Sequence, residues 1–170
     1  MSNGIIVYKS KYGAARQYAA WLAELTGFDC AEINRADRAR IAKYDTLIFC
    51  GGVYASRIAG LSFLKKHIAG LKDKRLAVFA VGASPYEENT VQSLCTHNAK
   101  GLPESVKWFY GRGAWNEDMM TFKDRMLCKM LHKADLSSLE PWMASLMETG
   151  GQACDWTDKT CLNPLLDFIR

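Results

Sequence analysis

Residues 5–8 (IIVY), 46–50 (TLIFC) and 75–81 (RLAVFAV) are almost continuously apolar and rich in β-branched and aromatic side chains. A strand with one face in water alternates apolar and polar residues. A run without alternation needs cover on both faces, the condition of a strand inside a parallel sheet sandwiched by helices. Each run is followed by a loop rich in small or hydroxyl residues and then by helical spacing. Residues 14–25 (AARQYAAWLAEL) have helix-forming composition. Leu61, Leu64, Ile68 and Leu71 recur at helical intervals in residues 61–71, and residues 89–98 predict a third helix. Residues 28–33 (FDCAEI) alternate like a half-exposed strand, residues 34–43 are polar with a helical turn, and residues 106–110 supply a fifth strand. Strand and helix thus alternate five times. The expected fold is α/β, an open five-stranded parallel sheet with helices on both faces.

The chain has 170 residues, 49% of them hydrophobic, enough for one substantial core, and residues 1–170 are read as a single domain. No stretch approaches the ~20 apolar residues of a membrane span. The N-terminus lacks the basic, apolar and small-residue succession of a secretory leader, so the cytoplasm is the expected compartment. Six cysteines are scattered without a CxxC pair, and reduced thiols are expected even for Cys154 and Cys161, which flank a loop. The three histidines, His67, His97 and His132, fall on predicted helices without metal-ligand spacing. No metal site and no catalytic side chain are assigned. The net charge of +4 weakly favours anionic partners. Without basic clusters interleaved with aromatics, nucleic acid is not an expected partner.

Ligands of such sheets sit at the carboxyl ends of the strands, near the point where strand order reverses. The first of those ends, Ser10, Lys11, Tyr12, Gly13, Ala14 and Ala15, passes directly into a helix. Unpaired amides and the positive end of the helix dipole favour an anion there. Ser10 and Tyr12 add hydroxyl donors, and Gly13 allows close backbone approach. Neither GxGxxG nor GxxxxGK(S/T) is present, so a monophosphate fits better than a dinucleotide or triphosphate. Residues 51–57 (GGVYASR) and 82–86 (GASPY) close the next two strands with small, hydroxyl and aromatic residues. A flat aromatic ligand carrying a phosphate suits all three loops. On the competing reading, Gly51, Gly52 and Gly82 merely end strands while Tyr54 and Tyr86 cover the sheet edge.

Residues 119–133 (MMTFKDRMLCKMLHK) form an amphipathic basic helix. Met119, Phe122, Met126, Leu127, Met130 and Leu131 lie on one broad face, and Lys123, Arg125, Lys129, His132 and Lys133 elsewhere. Such a face suits the protein's own sheet first of all, and otherwise an anionic bilayer, a greasy substrate or a second subunit. Residues 136–147 continue as an apolar helix split at Pro141. Asn163 before Pro164 reads as the N-cap and first turn of a short closing helix.

The segments SKYGAA, YDTLIFCGGVYAS, FLKKH, RLAVFAV, WFYGRGAW, FKDRMLCKMLHK and the Asp155-Trp156 pair together resemble the flavodoxins. Within them, they resemble the flavodoxin-domain family that includes menaquinone-dependent protoporphyrinogen dehydrogenase. The resemblance covers nearly the whole chain, and its most specific part is a late helical insertion that ordinary flavodoxins lack. It implies FMN as cofactor, with its phosphate over Ser10, Lys11, Tyr12, Gly13, Ala14 and Ala15. The ring would lie between Gly52, Val53, Tyr54 and Ala55 on one side and Gly82, Ala83, Ser84 and Tyr86 on the other. Ala15 stands where the common loop carries threonine, a loss of ~1 to 2 kcal/mol of phosphate binding.

The implied activity is oxidation of a porphyrinogen with a quinone as acceptor, with peripheral contact at the inner membrane face through residues 119–133 as one option. Lys11, Arg57 and Arg112 in or beside the cofactor loops favour an anionic reduced flavin and two-electron chemistry; on the opposing reading they are solvated surface cations offset by Glu87, Glu88, Glu117 and Asp118. The alternatives are a flavodoxin-type electron carrier without its own substrate and a flavin-free interaction module.

Overall fold

The computed structural model describes residues 3–170. Five parallel strands build the sheet: β1 (Gly4–Lys9), β2 (Asp29–Glu32), β3 (Thr46–Tyr54), β5 (Arg75–Gly82) and β6 (Lys107–Arg112). Their spatial order is β2-β1-β3-β5-β6, and the short β4 (Arg57–Ile58) pairs back on β3 as an antiparallel hairpin. Chain order therefore reverses between β1 and β3. Lys9 lies opposite Gly51, and Gly52 opposite Val81, so the ends of β1, β3 and β5 meet at one edge.

Alternate residues of the central strands serve opposite faces. Ile5, Val7, Leu47, Phe49, Leu76 and Val78 pack with Ile41, Leu64, Leu71 and Leu94. Those four come from or beside α2 (Arg38–Ile41), α3 (Ser62–His67) and α4 (Glu88–Asn98). Ile6, Ile48, Cys50, Ala77 and Phe79 pack on the other face against Tyr18, Ala19 and Leu22 of α1 (Ala14–Thr26) and Leu165 and Ile169 of α7 (Asn163–Ile169). Both faces are covered, which is why these strands carry no alternation.

Between β6 and α7 runs the insertion. The two-residue strands β7 (Ala114–Trp115) and β8 (Cys154–Asp155) pair antiparallel at its base, so the excursion leaves and returns at one point. It holds α5 (Phe122–His132) and α6 (Pro141–Met147), with Pro141 at the first turn of α6, where its missing N–H costs nothing.

Four details differ from the sequence reading. Strand β3 continues through Gly51 and Gly52 to Tyr54 rather than ending at Cys50. The crossover helix α3 covers only Ser62–His67 before tightening into a 3₁₀ turn. Asn163 is not a cap: Leu162 precedes α7, and the capping carboxylate is Asp158, which accepts from Thr160 N at the preceding 3₁₀ turn. The broad apolar face of α5 is turned outward instead of onto the fold, with Met119, Phe122, Met126, Leu127 and Met130 all exposed. Only Cys128 of the helix is buried, because the ties that seat it come from the opposite side.

Candidate functional site

At the switch point the chain leaves β1 and enters α1 through Ser10, Lys11, Tyr12 and Gly13. Gly13 has φ +102°, a left-handed conformation that L side chains rarely adopt, and a Cβ there would meet nothing within 4 Å. The glycine is required by backbone conformation and not by crowding. The amides of Ala14, Ala15 and Arg16 make no hydrogen bond among the described residues; the first helical bond of α1 from outside runs from Gln17 N to Gly13 O. Three donors at a helix start therefore await an acceptor. The methyl group of Ala15 is buried in the α1-side core, so only its amide is left to offer.

The side chains of the loop are differently engaged from the sequence expectation. Ser10 Oγ accepts from Gly13 N at 3.0 Å. The Tyr12 hydroxyl, expected as a phosphate donor, donates instead to Asp124 of α5. Lys11 Nζ also pairs with the Asp124 carboxylate, at 2.5 Å. Lys11 and Tyr12 hold this carboxyl below the usual carboxylate range, and the bond to Asp124 raises Lys11 above that of an ordinary lysine. Thr121 N donates to the Tyr12 hydroxyl oxygen at 3.2 Å, which pins the start of α5 to the same loop.

Gly52, Val53 and Tyr54 are the end of β3, and only Ala55 and Ser56 form a turn, with φ +47° and +62°. The Tyr54 hydroxyl accepts from Lys11 N at 3.1 Å, joining the hairpin to the phosphate loop. Its ring meets that of Tyr12 edge-on, with centroids 6.0 Å apart, and Lys11 Nζ lies within 6 Å of both. Tyr54 folds back over Gly52, where a Cβ would come within 2.8 Å of its hydroxyl. Burial pushes the Tyr54 phenol up against the opposing pull of Lys11. Buried Asn98 of α4 fixes the base of the hairpin. Its Oδ1 accepts from Ile58 N, and its Nδ2 donates to the Ser56 and Leu94 carbonyls.

The third loop is carried by β6 and Gly113. Gly113 N donates to Gly82 O at 2.7 Å, Arg112 Nε to Ala83 O at 3.0 Å, and the Tyr110 hydroxyl to Ser84 O at 2.7 Å. The exposed Tyr86 ring stands 6.4 Å from that of Tyr110. Arg112 also lies over the Trp156 ring at 3.8 Å, and Trp156 N donates to Gly113 O.

The three loops thus gather at one edge. Asp124, Asn98 and Tyr110 were not picked out from sequence. Asp124 carries one visible signal, a lone acid amid the cations of residues 123–133. Of the three cations expected at the site, Lys11 is neutralised by Asp124 and Arg112 is held against Ala83. Arg57 instead lines an open depression of about 590 Å³ with Ser62, Lys65, His97 and Lys100. A smaller depression of about 220 Å³ involves Arg38, Lys66 and His67. Among the described residues no cluster of three or more metal-ligating side chains is present.

A parallel sheet whose strand order reverses between β1 and β3, with an anion-ready helix start at the reversal, defines a phosphate-bearing cofactor fold of the doubly wound class. The model of the flavodoxin domain family matches residues 5–138, and the chain belongs to that family. FMN is the cofactor this membership assigns. The Trp repressor binding protein of Bacillus subtilis is a similar solved structure, with 14% identity over 65% of this chain and 85% of that one and a TM-score of 0.52. The flavodoxin of Megasphaera elsdenii is similar at 14% identity over 87% of this chain and 98% of that one, with a TM-score of 0.44. No curated protein sequence matches. The free amides, the left-handed glycine and the open space beside it fit a phosphate, and the fit rests on backbone donors.

Proposed function

We propose that the chain, acting as one domain in the cytoplasm, holds FMN at these three loops and is an oxidoreductase that removes electrons in pairs from a porphyrinogen and delivers them to a quinone. The observation that carries the cofactor assignment is the set of unpartnered amides of Ala14, Ala15 and Arg16 behind Gly13. FMN supplies a centre that accepts and returns two electrons. Per turn the substrate loses two electrons and two protons, and the quinone gains the same to become a quinol.

The protein's part is positional and electrostatic. The Ser10 hydroxyl and the amides of Ala14, Ala15 and Arg16 would offer phosphate contacts, with Gly13 shaping the loop and Lys11 and Tyr12 ordering it from the Asp124 side. Gly52, Val53, Tyr54 and Ala55 would hold the flavin ring from one side, and Gly82, Ala83, Ser84 and Tyr86 from the other. Arg112, fixed by Ala83 O and Trp156, is the cation beside the third loop that favours a negatively charged reduced cofactor.

The substrate assignment is supported by where the resembling segments meet. WFYGRGAW and the Asp155-Trp156 pair converge at the base of the insertion, where Arg112 stacks on Trp156 and Trp156 bonds Gly113. One observation favours the electron carrier instead: Asp124 cancels Lys11 and removes positive charge from the site.

The test is a visible spectrum after adding FMN and removing the excess, then anaerobic stepwise reduction and a porphyrinogen–quinone assay. Retained flavin, reduction in one two-electron transition and turnover support the enzyme. Retained flavin with two separate one-electron transitions and no turnover favours the carrier. A protein that stays colourless overturns the reading.

A further inference from the structure

We infer that the outer face of the α2, α3 and α4 layer is a docking surface for an acidic protein, whose carboxylates enter two cationic depressions on either side of α3. Residues 33–75 hold ten lysines and arginines against three aspartates, although the whole chain nets only +4, so the rest of the sequence carries more acids than bases. The positive charge is therefore a local property of one segment. That segment supplies α2, α3 and the β4 hairpin, and its helices cover one face of the sheet. Three of its cations serve the fold: Arg40 donates to Arg35 O, Lys74 to the Ala42 and Tyr44 carbonyls, and Arg75 to Ile169 O.

Five other cations face the two depressions. Arg38 and Lys66 line the one of about 220 Å³ on the α2 side of α3, together with His67. Arg57, Lys65 and Lys100 line the one of about 590 Å³ on the α4 side, together with His97. No acid lines either depression, and none of the five carries an ion pair among the described residues. Lys65 is half-buried, with its Cδ 3.7 Å from the Cβ position of Gly101, so its stem is held while its ammonium lacks a counter-charge. Like charges gathered in this way repel one another, and an occupant of opposite charge relieves that cost.

The spread of the charge decides the occupant. A single small anion meets the cations of one depression and leaves the other set unanswered. None of the exposed large hydrophobic side chains lies on this face, so it has nothing to sink into a bilayer and no exposed Phe, Tyr or Trp ring on which a base would stack. A second copy docking here about a two-fold axis would set cations against cations. A protein surface rich in glutamate and aspartate answers both depressions at once and is steered to them from a distance. Arg57 pairs with Tyr54 across the hairpin, so the docked protein comes against the strand end proposed to hold the flavin ring. The proposed reaction involves no protein partner, and this surface is additional to it.

The experiment is a fluorescence-anisotropy titration of the full chain, without flavin, against a fluorescein-labelled peptide alternating glutamate with glycine and against its glutamine counterpart. Citrate, duplex DNA and phosphatidylglycerol vesicles are tested in parallel. The glutamate peptide is expected to bind at least ~10-fold more tightly than the glutamine peptide and to be released by salt. Arg38→Glu/Lys66→Glu and Arg57→Glu/Lys65→Glu/Lys100→Glu should each weaken it ~3-fold or more while keeping the far-UV circular dichroism of the wild type. The corresponding glutamine variants, which add no acid to the fold, should weaken it in the same direction, and Lys123→Glu/Lys129→Glu on α5 should leave it unchanged. No binding, equal binding of the two peptides, or loss in the α5 variant but not in the others overturns the inference. So does citrate that displaces the peptide and depends on one depression alone, which would mark a small-anion site. Binding of DNA or vesicles by a chain that ignores the peptide overturns it as well. Because no flavin is present, failure here and failure of the cofactor or turnover assays are read separately.

Discussion

The carboxylate of Asp124 lies 2.5 Å from the ammonium nitrogen of Lys11, an ion pair that spans 113 positions of the chain and ties the insertion to the phosphate loop. Its pH dependence follows from the direction of its shifts. Lys11 first and Tyr12 second hold the Asp124 carboxyl below its ordinary value of 3.8, so the contribution is full above that value and is lost as pH falls through the lower folded one. Lys11 is raised above 10.5, so the pair is also full below 10.5 and is lost at higher pH still. Protection factors of the α5 amides, with the intrinsic pH dependence of exchange removed, should therefore be flat between these limits and fall on acidification. In Asp124→Asn protection of α5 should fall several-fold already at neutral pH. Global stability should change by less than ~1 kcal/mol, because both partners are partly exposed. Unchanged α5 protection in Asp124→Asn would show that the pair does not seat the helix.

Gly13→Val tests the phosphate cradle. A Cβ at Gly13 meets no atom, so the penalty is the left-handed φ alone, ~1 to 2 kcal/mol for a β-branched residue. FMN affinity, followed by quenching of flavin fluorescence, should fall ~10-fold or more. Gly13→Asn should lose much less, since asparagine tolerates this conformation. Equal affinity in all three proteins would remove Gly13 from the site.

Much of the fold was legible because the continuous apolar runs at Ile5, Leu47 and Leu76 have only one stable use, as strands covered on both faces. The phosphate loop was legible because a strand, Gly13 and a helix start are contiguous in sequence. What could not be read is non-local. Nothing near Asp124 in sequence announces Lys11, and Asn98 looks like any polar residue at a helix end until the hairpin folds against it. The orientation of α5 was unreadable for a related reason. Amphipathicity defines an apolar face, but the seating is decided by Asp124, Thr121 and Cys128 on the other side.

Asn98→Ala removes three hydrogen bonds and leaves the Ile58 amide and the Ser56 and Leu94 carbonyls without their side-chain partner. A loss of ~2 to 3 kcal/mol is expected in urea denaturation. The hairpin turn at Ala55 and Ser56 has positive φ at both residues and depends on this support. FMN affinity of the folded variant should therefore fall as well, although Asn98 is not among the proposed ligands. A variant with wild-type denaturation midpoint would contradict the bonding described.

Cys128 offers a direct readout of the insertion. It is the buried residue of α5, with Sγ 3.7 Å from Met120 Sδ, and burial, aided by the negative charges of Glu117 and Asp124, pushes its thiol up to about 11. At pH 8 the sulfur is both protonated and covered, so a maleimide reaches it only when the helix lifts. Cys30 lies exposed on the edge strand β2, and partial burial raises its thiol too, so the comparison between them is chiefly one of access. Mass-resolved labelling should modify Cys30 at least ~10-fold faster than Cys128. Asp124→Asn should accelerate Cys128 and leave Cys30 unchanged, because only Cys128 depends on the clasp at Lys11 and Tyr12. Equal rates at the two cysteines in the wild type would mean that α5 is not seated through its Asp124 and Cys128 side.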